Sequence, residues 1–129
     1  MKKTLFFLFI VSILLTSNTK ADSGWTLVTS SSSNDKYHVD LDRVRENSGY
    51  KFFWYLTDYG KVDTYGDRSN VTYSQAECGA FKYKWLDVKY YGSSMGTGKL
   101  NAHDDRESPW KYPKRKSVME GLLNKVCDY

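Results

Sequence analysis

His38 and His103 are the only histidines in the chain, so any chemistry needing a neutral-pH proton carrier rests on them. Neither stands in a recognisable nucleophile–base–orienter context. His103-Asp104-Asp105 offers one nitrogen and two carboxylates to a metal, but no further spaced ligands accompany it, and a solvated loop is the expected state. Gly96-Thr97-Gly98-Lys99 echoes a phosphate loop. The full pattern sets four residues between its glycines and a Ser or Thr after the lysine, where Leu100 stands, so the segment reads as a turn. Asn70-Val71-Thr72 is a glycosylation sequon, meaningful only in a secretory pathway that uses one. No catalytic set, metal site or cofactor is expected.

Two basic clusters suit binding better than catalysis. Lys111, Lys114, Arg115 and Lys116 precede a C-terminal helical pattern and would crowd its positive end, so they form either a solvated linker or an anion-binding surface. Lys82 and Lys84 share one strand face, with Tyr83 and Trp85 on the other. Interleaved basic and aromatic residues can serve single-stranded nucleic acid, but an exported chain meets proteins or glycans. A protein ligand and no nucleic acid is therefore the expectation, with a plain solvated face as its rival for both clusters.

Export is read from the first residues. Lys2 and Lys3 precede an uncharged apolar run, Thr4 to Leu15, too short to span a bilayer comfortably and suited to a signal-peptide core. Thr16 to Ala21 is polar, with Thr19 and Ala21 at the positions a signal peptidase reads. Residues 1–21 are expected to be a signal peptide and 22–129 a single domain, periplasmic, secreted or held at the cell surface. A retained anchor helix fits the short core less well. No cysteine stands at the junction, so neither a lipid anchor nor another stable membrane anchor is expected after cleavage.

Cleavage changes the charge. The whole chain carries a net +4 and a pI near 9.0. Lys2, Lys3 and Lys20 are three of its 19 basic residues and the segment holds no acid, leaving 16 basic against 15 acidic residues. A global field steering the protein to polyanions disappears with the signal segment. Aromatic residues make up 16% of the chain against 2 prolines, which excludes a disordered or collagen-like class.

The rest reads as strands followed by one helix. Strand candidates are Gly24–Thr29, Lys36–Asp40, Tyr50–Tyr59, Arg68–Glu77 and Phe81–Tyr91, with at most one weak strand between Leu100 and Tyr112. Ser30–Asp35 is a hairpin tip, Leu41–Arg45 a brief, helix-like connection, and Asn47-Ser48-Gly49 a turn. In the Tyr50 strand, Phe52, Trp54 and Leu56 face one way and Phe53, Tyr55 and Tyr59 the other, so the strand is covered on both sides or exposes one aromatic face. In the Phe81 strand the apolar parity switches between Trp85 and Leu86: either a β-bulge keeps both sets on the core side, or the two sets face opposite ways. Ser117 to Cys127 is the helix. Ser117 and Glu120 form a capping box, and Val118, Met119, Leu122, Leu123 and Val126 fill one apolar arc of about 140°. Gly121 lies off that arc without an evident packing reason.

Two cysteines are too few for a disulfide-dense scaffold or a four-cysteine zinc site. In an oxidising compartment Cys78 and Cys127 pair by default, and they lack the spacing of a redox couple. The bridge closes about 50 residues and restricts the unfolded chain by about 4 kcal/mol in the entropy model.

Trp25, Tyr37-His38-Val39-Asp40, Phe53 through Tyr59, Glu77-Cys78, Tyr90-Tyr91-Gly92, Met95 through Lys99 and Ser117 through Cys127 resemble successive blocks of the bacterial surface-adhesin protein E family. The resemblance covers nearly all of residues 22–129 in order. It implies an α+β fold: a single curved antiparallel sheet of about six strands, with the C-terminal α-helix on its concave face held by a Cys78–Cys127 bridge. It also implies a non-enzymatic role in binding host extracellular-matrix or plasma proteins such as vitronectin, laminin or plasminogen. The adhesin that names the family resembles a tethered lipoprotein, whereas the junction cysteine is missing here. The alternative is a periplasmic or secreted inhibitor of an exported enzyme such as lysozyme.

Overall fold

Alternating apolar and polar residues resolve into seven strands in the computed structural model, which describes residues 24–129. The expected signal peptide lies outside the described residues. The strands are β1 (Trp25–Ser30), β2 (Lys36–Asp40), β3 (Arg45–Asn47), β4 (Tyr50–Asp58), β5 (Ser69–Glu77), β6 (Lys82–Tyr91) and β7 (Leu100–Asp104), followed by α1 (Val118–Cys127). They form one open sheet in the order β1-β2-β4-β5-β6-β7, with β3 also on β4. Every pairing is antiparallel. Six strands lie along the path as expected, and the short β3 is the seventh.

β3 runs from the last residue of the expected connection, Arg45, to the first of the expected turn, Asn47, and its three exposed polar residues carry no alternation that would mark a strand. Its turn was legible. Asn47 faces Tyr50 across Ser48 and Gly49, whose φ values of 54° and 81° suit the twist of a two-residue hairpin. The helix-like connection before β3 is a single 3-10 turn, Leu41–Arg43.

The core lies between the sheet and α1. Val39 of β2, Phe53 and Tyr55 of β4, Ala76 of β5 and Tyr83 of β6 are buried against Leu122, Leu123 and Val126. Val118 and Met119 complete the apolar arc as partly buried neighbours. Short side chains, Thr72 and Ser74, sit opposite Tyr55 and Phe53 on β5 and are buried with them. The helix starts as expected at Ser117, whose Oγ accepts the Glu120 amide at 3.2 Å. The return bond differs from the expected box. Glu120 Oε1 accepts from the Lys116 amide at 3.1 Å, because the Ser117 amide is already donated to Lys114 O. Cys78 and Cys127 are bridged, with Cα atoms 5.7 Å apart.

A bulge in β6 sits where the parity switches. Tyr73 pairs with Asp87 and Ser74 with Trp85, leaving Leu86 as the extra residue. Tyr83, Trp85, Val88 and Tyr90 consequently lie opposite Ala76, Ser74, Thr72 and Asn70, all on the helix-bearing face.

The outer face has a partial cover. Leu56 is fully buried there, beneath a one-turn 3-10 segment, Ser94–Gly96. The Met95 amide donates to Asp58 Oδ1 at 2.8 Å and the Gly96 amide to Ser69 Oγ at 2.9 Å. The amides of this glycine-rich turn therefore fasten a lid. His103 and Asp104 belong to edge strand β7 instead of the expected loop. His103 Nε2 lies 2.5 Å from Asp87 Oδ1, and Arg106 Nη2 2.8 Å from Asp104 Oδ2.

Candidate functional site: a cationic and aromatic corner

The two basic clusters meet at one corner. The chain after β7 returns along the free edge of the first half of β6: the Tyr83 amide donates to Lys111 O at 3.0 Å and the Lys111 amide to Tyr83 O at 2.7 Å. Ser108 extends the contact, its amide on Trp85 O and its Oγ accepting the Trp85 amide, each at 2.9 Å. An edge that β7 leaves open is thereby closed, and Trp110 and Lys111 are carried onto β6.

The lysines of this corner differ in availability. The ammonium groups of Lys82 and Lys84 each lie 4.7 Å from the Trp110 ring centroid. Lys82 also pairs with Glu77 at 3.0 Å, and Lys84 pairs with Glu107. The hydrogen bond to Glu77 holds the Lys82 ammonium above its ordinary range. Trp110 stacks on Tyr50 at 5.9 Å. Lys111 Nζ sits 4.6 Å from the Trp85 ring. Tyr83 is a core residue, and burial pushes its phenol up. The remaining three, Lys114, Arg115 and Lys116, are exposed. None forms an ion pair with a described acid. Tyr112 stands among them, 68% exposed, over a groove of about 360 Å³ lined by Tyr83, Lys111, Pro113, Lys114, Ser117 and Met119.

Trp110 and Tyr50 were missed as members of this corner. Trp110 falls in a segment without periodicity, between Pro109 and Pro113, and only the return of that segment along β6 gives it a partner. The outer face holds a second group that sequence reading reached only as an alternative. Arg43 lies 5.8 Å from the Trp25 ring and 5.3 Å from the Trp54 ring, Trp54 stacks on Tyr73 at 4.6 Å, and Phe52 adjoins Tyr73 at 6.2 Å. Asp40 anchors Arg43 at 2.5 Å. This half-buried row packs on itself and shields the sheet where no second layer lies.

Among the described residues no cluster of three or more potential ligands could hold a metal, and no helix is long and apolar enough to cross a membrane.

Comparison with solved structures finds Haemophilus influenzae protein E. One crystal structure of it gives a TM-score of 0.61 at 12% identity, covering 85% of this chain and 88% of that one. The selenomethionine form gives 0.66 at 12% identity, covering 85% and 90%. Protein E from a non-typeable strain gives 0.61 at 13% identity, covering 85% and 79%. Identities this low establish the shared fold alone. Comparison with curated proteins finds no match. The family model of surface-adhesin protein E matches residues 25–128, nearly every described residue from β1 to the end of α1. The chain belongs to the surface-adhesin protein E family.

Proposed function

We propose that this protein is an exported, non-catalytic binding module that holds a protein partner, with host extracellular-matrix or plasma proteins as the partner class. The carrying observation is the corner's exposed edge: Lys114, Arg115 and Lys116 without acidic partners among the described residues, beside a Tyr112 that is 68% exposed. Tyrosine and arginine supply much of the energy of protein interfaces, and unpaired cations steer an acidic partner into register. Lys82 and Lys84 are tied to Glu77 and Glu107 and lie over the Trp110 ring, so they are not among the open cations. Export is supported by the pattern of residues 1–21 and by a bridged cysteine pair, which persists in oxidising compartments.

Surface plasmon resonance of the purified protein against immobilised matrix and plasma proteins tests this reading. Saturable binding is expected, falling about tenfold in a K114A/R115A/K116A variant and weakening with added salt. Equal binding by that variant, or no binding to any of them, would overturn it.

A further inference from the structure

The helix-bearing face of the sheet is covered unevenly. α1 lies over β1, β2 and β4. Away from it, Tyr90 and Ala102 face each other across β6 and β7 and look onto the loop joining β4 to β5. Asp63, Tyr65, Asp67, Tyr90, Asn101 and Ala102 line a cavity of about 510 Å³ there.

Asp67 is the unusual wall. It is only 4% exposed, yet no ion pair among the described residues involves Asp67 or Asp63. Asp67 Oδ1 accepts the Asn101 amide at 2.8 Å, while Oδ2 accepts no hydrogen bond from a described residue. Oδ1 is thus satisfied within the fold, and Oδ2, which is not among the buried atoms that lack a partner, is the oxygen open to a group entering the cavity. No basic residue lines this cavity; Lys61 lines the adjoining hollow, which shares Asp63. Burial first, then the carboxylates of Asp104, Asp67 and Asp63, push the Tyr90 phenol up; Asp104 is paired with Arg106, so Asp67 and Asp63 are the carboxylates left to a ligand.

The lining selects among cations. A hard metal takes six to eight oxygen ligands, whereas two tyrosines and an alanine make much of this wall. Aromatic faces suit an organic cation, and apolar lining suits the alkyl stem that carries it. Tyr65, 86% exposed, stands at the mouth, so a side chain can enter while the backbone bearing it stays outside. We propose that this cavity receives the side chain of a lysine or arginine presented by a protein, with Asp67 and Asp63 as counter-charges and Tyr65 and Tyr90 as walls. The site is separate from the basic corner and does not depend on the role proposed for it.

Titrations of the isotopically labelled protein followed by NMR test this, with N-acetyl-lysine methylamide, its arginine counterpart, its norleucine counterpart, spermidine and calcium chloride as probes. Lysine and arginine compounds are expected to shift resonances of residues 63–67, 90, 101 and 102, and the norleucine compound to leave them in place. Asp67→Asn weakens binding about tenfold. Tyr65→Ala, at an exposed position, weakens it several-fold and guards against misfolding of the Asp67 variant. The proposal falls if norleucine gives the same shifts or if both variants bind like the parent. It also falls if only spermidine or calcium binds, or if no probe shifts these residues.

Discussion

Gly96 and Gly121 are one residue type in opposite situations. Gly96 has φ +68°, and a Cβ there would stand 2.8 Å from Val71 Cγ2 and 3.3 Å from Leu56 Cδ1. Gly96→Ala combines backbone strain with an overpacked lid, and a loss of about 1–3 kcal/mol is expected. Gly121 sits inside α1, and its Cβ would meet only Thr29 Cγ2 at 3.9 Å, an ordinary contact. Gly121→Ala is expected to stabilise by about 0.5–1 kcal/mol, since the helix gains propensity and loses nothing. Urea denaturation of the two variants measures both signs. A neutral Gly96→Ala would mean that the Ser94–Gly96 turn does not cover Leu56 in solution. The difference between these glycines was invisible in the sequence, because it depends on what faces each one across the fold.

Among the elements, α1 depends most on its attachments. Leu122, Leu123 and Val126 bury its apolar arc, and Ser117 caps its start. At its far end, Lys51 Nζ donates to Val126 O at 3.2 Å and to Cys127 O at 3.4 Å, placing a cation at the negative pole. The disulfide adds a covalent tie across a sequence separation of 49. A C78S/C127S double variant is expected to lose about 4 kcal/mol against urea. Unchanged stability would mean that helix packing alone holds the end. The extent of α1 was legible because a 3.6-residue apolar period and a capping serine coincide. Its anchoring by Lys51 was not, because that contact joins residues distant in sequence.

For the whole molecule, acid stability separates two groups. His38 is 8% exposed, with Nδ1 buried and without a hydrogen-bond partner. Burial holds its pKa below the ordinary value, against an opposing effect of Asp58. The unfolded chain thus takes the proton first on acidification. Its contribution is fully present above the ordinary histidine pKa of about 6.5 and is lost as pH falls below that value toward the folded one. Asp104 acts lower. The Arg106 side chain, by hydrogen bonding, holds its carboxyl down at about 2. That contribution is present above the ordinary aspartate pKa and disappears as pH falls toward 2. His38→Gln is expected to flatten the fall in Tm between about pH 7 and pH 5 while leaving the fall below pH 4 in place. An unchanged slope between pH 7 and 5 would place the acid sensitivity elsewhere.

Local pattern alone determined the strands of strong alternation, the C-terminal helix and the pairing of the two cysteines, while the parity switch at Leu86 left a bulge as one of two readings until the β5–β6 register decided for it. Each is written in residues close together, through a period of two or 3.6 and a few turn residues, apart from the cysteines, which pair because no other cysteine exists. Tertiary structure decided which of the basic residues already have partners. Lys82 and Lys84 look as free in the sequence as Lys114 and Lys116, yet the returning 107–111 segment gives the first two an acid or an aromatic ring and leaves the others open. It also decided where Asp67 lies, in a cavity built from β6, β7 and a loop. Charge is a property of composition, but whether a charge is satisfied depends on neighbours that only the folded chain brings within reach.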